Sequence, residues 1–592
     1  MAKDYSNLNK KELIEVIKKL ESRKKYGLVW DEERTKEVFE KEAQNALPVL
    51  KEVKGKEIKT DPEKPTHILI EGDNYHALSV LNFTHQGKID VIYIDPPYNT
   101  GNKDFVYNDQ YINKEDSYKH SKWLSFMNKR LRLAKNLLTE DGVLVVSIDD
   151  HEIAQLKLVL DCLFNENTKV VAVKMSEASG LKMGATRKAG NIPKYKEYLI
   201  FAKKHGIRNL RFEPIKKEEW DNEYNLFIDN FSKKERELLN QFSAKKNLNE
   251  KDLEYLDLKI FSKIKVVSVN KKIKELGIKK PSEILTWKIK NAWRIGRTAA
   301  STSVKKIADE KKNKIKQKIF SVLSKRDNLL YIVKADYSEK SKKPRVQLIF
   351  ADDNLESHPG DIWTDLKTTG LEAEGGVDFK NGKKPLDLIK RIIYSSYNDD
   401  AIVCDFFAGS GTTGEATLDL NKTHGGNRQF ILCTYNKENG NGNIADKYCF
   451  PRLKNAMYGY RKKKGIKGNL KYFKTAFVKN SISKDELKIR ITQKCTEMLC
   501  LREGIFEEVE NKKNFRIFKQ TDRIMGIYYA LDRKGLDILK KKLNDMDGEK
   551  ILYCFTLDPL GLDKADFVDW QDVSLEPIPQ KILEVYNQIY EY

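Results

Sequence analysis

Seven cysteines and fifteen prolines in 592 residues set the first limits. A disulfide-stapled fold needs closely spaced, paired cysteines, but Cys162, Cys404, Cys433, Cys449, Cys495, Cys500 and Cys554 are scattered, with no CxxC among them. The same spacing provides no zinc framework, and the eight histidines form no HExxH. His151-Glu152 starts such a motif without completing it, so no metal is expected. No apolar run approaches the roughly 20 residues that a membrane-crossing helix requires. The longest are short pieces such as GVLVVSI at 142–148, and the amino terminus has no signal-peptide core, which predicts a cytoplasmic protein with no membrane contact. The Gly-Lys-Ser/Thr of a nucleotide triphosphate loop is also missing.

What is present is charge. Lysine and arginine total 109 against 87 acids, a net of +22, while 40% of the residues are hydrophobic. That balance fits a folded, soluble chain of several domains with a polyanionic partner, nucleic acid first among the candidates. The excess is local. Residues 287–347 carry 18 lysines and arginines against 5 acids, a net of +13.

Hydrophobic patterning divides the chain into five parts. Residues 1–65 read as helices, with NKKELIEVIKKLESRKK at helical spacing and a second helix opened by Asp31 and Glu32 running toward Leu50. From 66 to 204, β-rich runs (HILIEGD, KIDVIYIDPP, GVLVVSIDD) alternate with helical stretches such as 121–138, the signature of a mostly parallel α/β sheet flanked by helices. From 205 to 347 the alternation gives way to a lysine-rich, helical segment with interspersed aromatics. The α/β pattern returns over 348–460 in PLDLIKRIIYSS, AIVCDFFAGSGTTGEATLDL and RQFILCTY, so the basic segment is inserted into one sheet domain. A C-terminal α+β part, 461–592, starts with one amphipathic helix, SKDELKIRITQKCTEMLCLREGIF.

Two motifs carry chemistry. In IDVIYIDPPYNTG, six β-favouring residues end in an aspartate and two prolines that cannot continue a strand, so Asp95, Pro96, Pro97 and Tyr98 occupy a loop at a strand's carboxyl end. Open α/β sheets bind ligands there. The Asp95 carboxylate and the Pro96 carbonyl can both accept from one amino group, which favours a tetrahedral, more nucleophilic nitrogen, and Tyr98 offers a face to an unstacked base. In VCDFFAGSGTTGEA, a strand runs through glycines 409, 411 and 414 into a helix, allowing close backbone approach to a polar or anionic ligand. Alone, such a loop serves dinucleotides, triphosphates or S-adenosylmethionine.

Together, DPPY and FxGxG resemble the amino-methyltransferases of DNA. Their order, DPPY first and the glycine loop about three hundred residues later with a basic block between, resembles the permuted class with an inserted target-recognition domain. The resemblance is closer to the modification subunits of type III restriction–modification systems, carried by HILIEGDNYHAL, YIDPPYNTGNKDFVYNDQY, KWLSFMNKRLRLAKNLL, DGVLVVSIDDHE, KYKEYLIFAKK, KPLDLIKRII, DFFAGSGTT and FPRLKNAMYGY across about 67–460. It implies a Rossmann-like S-adenosylmethionine-dependent sheet and methylation of the 6-amino group of adenine in double-stranded DNA by base flipping.

By that resemblance Asp95, Pro96 and Tyr98 hold the flipped adenine, and Phe406, Phe407, Ala408, Gly409, Ser410, Gly411 and Thr412 wrap the methionine part of the cofactor. Asp405 binds the cofactor's ammonium group and the hydroxyls its carboxylate. Asp73 meets its adenine, and Lys384 and Pro385 lie near the methionine end. The ribose role falls to Asn436, Glu438 or neither. Arg294, Arg297, Lys305 and Lys306 are the expected DNA contacts, with Trp287 and Trp293 as stacking or wedge residues. A homodimer and a helicase–nuclease restriction subunit are the implied partners. An orphan methylase, a non-catalytic recognition subunit or, more distantly, a dehydrogenase are the competing readings.

Overall fold

The computed structural model describes residues 9–11, 13–14 and 46–590, apart from 102–104, 108–109, 113–115, 178–180, 218, 246, 316, 325–327, 338–343, 380–381, 436–442, 480, 482, 559–560, 563–566, 568–569 and 571. The chain forms two compact units, one of Met1–Phe212 with Gly360–Tyr592, the other of Glu213–Pro359.

The first unit is built on a mixed sheet. In chain order its strands are β1 (Ala46–Glu52), β2 (Thr66–Glu71), β3 (Ile89–Ile94), β4 (Leu138–Ile148), β5 (Thr168–Lys174), β6 (Lys196–Lys203), β7 (Ile362–Trp363), β8 (Ile402–Asp405), β9 (Gln429–Thr434) and β10 (Asn469–Lys479). In space they run β1-β10-β2-β9-β8-β3-β4-β6-β5-β7, with Ile58–Lys59 added on β10. The stretch from β10 to β4 is parallel throughout; β1 and β6 are antiparallel to their neighbours. Helices α1 (Asn74–Thr84), α2 (Lys119–Leu137), α3 (Ile153–Leu163), α4 (Leu386–Tyr394), α5 (Thr412–His424) and α6 (Phe450–Tyr458) join these strands. The mostly parallel α/β architecture expected from the sequence is the one found.

Buried strands account for it. In β3, IDVIYI is apolar on both faces because helices cover both, and it stops where Pro96 and Pro97 follow. On α2, Trp123, Met127, Leu131 and Ala134 recur at helical spacing and are fully buried, while Arg132 on another face is exposed.

Three expectations need correction. Of the helix expected to run toward Leu50, the part from Ala46 on is strand β1: Pro48 cannot sit in a helix interior, but an edge strand tolerates it, where it pairs with Phe477. Residues 15–45, which hold most of that region's helical pattern, lie outside the described residues; Lys10–Lys11 and Leu13–Ile14 are helical. The inserted segment, read as helical, contains a six-stranded antiparallel sheet in the order Lys265–Ser268, Leu226–Asp229, Ile295–Ala300, Arg345–Phe350, Leu329–Lys334, Ile319–Ser324. Period-two burial in RVQLIF is clear in the fold but diluted by flanking lysines in the sequence. The single amphipathic helix near 483–506 is two, Lys484–Thr492 and Thr496–Glu503.

The inserted unit spans Glu213–Pro359, against the 205–347 drawn from composition, and β10 carries the central sheet past residue 461. The rest of the C-terminal part has a five-stranded sheet, Glu507–Asn511 to Val573–Ile578. Its Ile491, Met498, Met525 and Ile582 share one core with Leu78, Leu81 and Val49 of the central sheet and α1. No helix among the described residues is long and apolar enough to cross a membrane.

Candidate functional site

The sheet order brings the two motifs side by side. Strands β3 and β8 are adjacent and parallel, with Val91 opposite Val403 and Ile92 opposite Cys404, so Asp95-Pro96-Pro97-Tyr98 and Asp405–Thr412 leave the same rim. About three hundred residues of sequence separate these loops. Their approach is the spatial condition for a shared site, and it is met.

The first loop is pinned on both sides. Trp123 donates its indole N–H to the Pro97 carbonyl at 2.7 Å. Asn99 turns the chain with a left-handed φ of 58° and donates its amide to Glu152 Oε1 (2.6 Å) and the Lys119 carbonyl (3.2 Å). Glu152 is wholly buried, and burial pushes its carboxyl up to about 8. Among the described residues nothing donates to the Pro96 carbonyl, which leaves its acceptor for a ligand.

Asp95 sits in a four-group network. Lys384 donates to Glu197 Oε2 (2.5 Å) and the Tyr98 hydroxyl (2.6 Å), and its ammonium lies 3.2 Å from Asp95 Oδ1. The Tyr98 hydroxyl lies within hydrogen-bond distance of Asp95 Oδ1 (2.8 Å) and Glu197 Oε2 (2.9 Å). Burial raises the Asp95 carboxyl above its usual range, and Lys384 opposes that rise. Burial also drives the Tyr98 phenol far above its ordinary value, so it stays protonated as a donor. Lys384 and Pro385, expected beside the cofactor, therefore stand at the amino end of α4 with the lysine directed to the DPPY loop.

The second loop is closed by its own aspartate. Asp405 accepts from the Phe407 N–H (3.0 Å) and the Thr413 hydroxyl (2.5 Å), using two of a carboxylate's four acceptor sites, and burial pushes it up to about 7. Phe406 is buried, Phe407 half-buried, and Ala408 donates to the Cys433 carbonyl at 3.1 Å. Gly409 and Gly411 adopt left-handed φ values of 49° and 80°, conformations that disfavour side chains. A Cβ on Gly411 would meet Cys449 Sγ at 3.0 Å, whereas one on Gly409 would make only an ordinary van der Waals contact, with the Phe407 carbonyl oxygen at 3.8 Å. Ser410 and Thr412 are buried, and both hydroxyls accept from Arg452, at 3.1 and 2.6 Å. The glycines keep the GxGxxG spacing shared with dinucleotide folds, so adjacency to Asp95 rather than the turn itself chooses the chemistry.

Strand β2 delivers a third element. Asp73 caps α1 by accepting from the Tyr75 N–H (2.8 Å), and Asn74 donates to the Phe406 carbonyl (3.1 Å). Arg130, buried over the Phe126 ring, donates to Asn74 Oδ1 at 2.5 Å and lies 3.5 Å from Asp73. Asn436 and Glu438 lie outside the described residues.

Glu197, Arg130 and Arg452 were missed in the sequence. Each stands among other charged residues in the sequence, as in Lys194-Tyr195-Lys196-Glu197, Lys129-Arg130-Leu131-Arg132 and Arg452-Leu453-Lys454, and its partner comes from a distant segment. Their one signal is a charged residue at a position the periodicity marks as buried: Arg452 and Arg130 are among the largest fully buried side chains.

In the inserted unit the expected DNA residues are less free than their sequence suggests. Arg297 pairs with Glu223 and lies over the Tyr224 ring; Arg294 bonds Asn291 (2.7 Å) and stacks on Phe227 and Trp293. Lys305 pairs with Asp309 at 2.5 Å, and Lys306 is exposed. Trp287 stacks on Phe227 and Trp293 packs on Phe231, so both rings are half-buried against the unit's cores. Among the described residues no group of three or more His, Cys, Asp or Glu could hold a metal ion.

Residues 89–441 match the model of the family described as DNA methylase. The chain is similar to the probable type III restriction-modification enzyme HindVI Mod subunit of Haemophilus influenzae, 32% identical over 62% of this chain and 49% of that one. It is likewise similar to the StyLTI Mod subunit of Salmonella typhimurium (29%, 64% and 54%) and the type II methyltransferase M.KpnI of Klebsiella pneumoniae (28%, 64% and 84%). The matched region spans about half the length of the two Mod subunits.

Proposed function

Because this chain belongs to the DNA methylase family, we propose that it methylates the 6-amino group of adenine in duplex DNA, with S-adenosylmethionine as methyl donor, as the modification and recognition component of a restriction–modification system. One observation carries this reading: the Asp95–Tyr98 loop and the Phe406–Thr412 turn leave adjacent parallel strands at one rim. S-adenosylmethionine fits the turn: Gly409 has no neighbour closer than an ordinary contact with the Phe407 carbonyl, so a ligand can approach its backbone, the half-buried Phe407 ring gives it an apolar wall, and the partly exposed Asp73 carboxylate is an acceptor for its amino-bearing base. When bound, the cofactor supplies a methyl group on a sulfonium.

The chain's own groups then act on the adenine. Asp95 and the Pro96 carbonyl accept the two amino hydrogens and hold the nitrogen's lone pair out of the ring. Tyr98, fixed at its hydroxyl by Glu197 and Lys384, offers its ring as a platform. Lys384 holds Asp95 toward its charged, accepting form against the effect of burial. Positioning of this kind removes about 7–11 kcal/mol of barrier without a covalent intermediate. The inserted unit, home of the basic block, is assigned to target recognition, and a homodimer and a helicase–nuclease restriction subunit are the proposed partners, in the cytoplasm.

The test is transfer of a labelled methyl group from the cofactor to DNA by the purified protein. Transfer is expected with the wild type and lost in Asp95→Ala, with cofactor binding retained. DNA binding without any transfer by the wild type would make the chain a non-catalytic recognition subunit, and retention of NAD in place of S-adenosylmethionine would make it a dehydrogenase.

A further inference from the structure

One segment of the catalytic rim has no role so far: the connection between β5 and β6. Register fixes where it stands. Tyr198 of β6 pairs with Ile148, the last residue of β4, and Lys174, the last of β5, pairs with Lys196. Both arms thus leave the sheet at the end where β3 and β4 release their loops. The base of the hairpin is fastened there: Met175 donates to the Tyr195 carbonyl (2.8 Å), Ser176 to that of Lys194 (2.8 Å), Lys194 to Asp149 (2.5 Å) and Lys196 to Asp150 (2.7 Å).

Beyond that base the hairpin carries the helix Leu181–Lys188, then Ile192, which is 96% exposed. Pro193 follows and restricts Ile192 to extended backbone, making it a stiff apolar knob. Arg187 and Lys188, at the end of that helix, are both exposed and without an ion pair among the described residues. Glu197, whose carboxylate bonds Tyr98, is five positions after Ile192, so the knob stands within about 17 Å of that glutamate along the chain. Residues 175–197 carry five lysines and arginines against two acids.

We propose that this hairpin docks on the duplex beside the target base, with Ile192 inserted into the base stack as the apolar wedge and Arg187 and Lys188 on the flanking phosphates. The occupant is DNA rather than a protein because, among the described residues of the hairpin, Ile192 is the one exposed large hydrophobic and two unpaired cations precede it by four and five positions, the pattern of a wedge that unstacks bases while its neighbours grip the backbone. It takes the wedge role in place of Trp287 and Trp293, whose rings are half-buried against aromatic neighbours. The inference rests on the adenine-methylation reading.

The test uses the full-length protein in two assays. In salt titrations of binding to mixed-sequence duplex, Arg187→Ala/Lys188→Ala should lower the slope of log affinity against log salt by about 0.9 per lost phosphate contact, while Ile192→Gly leaves it unchanged. On a duplex carrying the site identified from methylated genomic DNA, Ile192→Gly should slow turnover about tenfold. Leaving the target adenine opposite an abasic position should restore it to within about twofold, because an unpaired base is cheaper to extrude. An unchanged slope in the double variant overturns the phosphate contacts, and equal losses on both duplexes, or a changed oligomeric state, overturn the wedge. Failure of the wild type to methylate any DNA would instead refute the underlying reading, leaving the slopes to judge the hairpin alone.

Discussion

The catalytic rim of the first unit and the basic inserted unit use charge in opposite ways. At the rim, few charges converge: Asp95, Glu197 and Lys384 meet around one phenol in a part-buried network that a ligand can address. In the inserted unit there are many cations, but Arg297, Lys305 and Lys311 are answered by Glu223, Asp309 and Asp257. A local excess of +13 in the sequence therefore overstates the number of cations free to meet a phosphate. A motif is informative when its geometry is forced; a composition is informative only after its pairs are subtracted.

The sharpest break of this comparison is at the rim. Glu197→Gln should lower saturated methyl transfer about 100-fold, as expected when a loop is misplaced by an ångström, with little change in cofactor affinity or melting temperature. An unchanged turnover would remove Glu197 from the positioning network. Gly411→Val comes next: its left-handed φ of 80° and the nearby Cys449 sulfur should cost about 1–3 kcal/mol, seen as a lower melting temperature with weaker cofactor binding. In the inserted unit, Lys306→Ala should reduce the salt slope of DNA binding by about 0.9, and Lys305→Ala by less because Asp309 already holds that ammonium. Equal slopes for the two variants would erase the distinction between paired and free cations.

A further test concerns pH. Glu152 titrates near 8 in the fold, above the ordinary 4.5, because burial disfavours its charge by more than the hydrogen bond from Asn99 favours it. The unfolded chain loses this proton first, so the wild type loses stability as pH rises from about 4.5 and reaches a constant deficit above about 8. Glu152→Gln, which cannot ionise, should gain melting temperature relative to wild type across that window and hold the gain above it. A pH-independent difference would contradict the assignment.

The sequence disclosed most where covalent geometry leaves one answer. Two prolines after an apolar run must end a strand, and glycines between a strand and a helix mark a turn that approaches a ligand, so both loops were legible. Their meeting was an inference from motif order, because no local pattern states that β3 and β8 are neighbours. The sheet of the inserted unit stayed hidden because lysines on exposed faces blur a period of two, and β1 because Pro48 was read within a helical trend. Glu197 and Arg452 were invisible for a third reason: their partners, Lys384 and Glu415, come from segments that only the tertiary fold brings to them.

The central claim is that the amino group of an adenine is presented to a sulfonium methyl between these two loops. Nucleoside analysis by mass spectrometry, after duplex DNA has been incubated with protein and S-adenosylmethionine, addresses it most directly. The account predicts 6-methyladenine with the wild type and none with Asp95→Ala; 4-methylcytosine alone, or no methylated base, would contradict it.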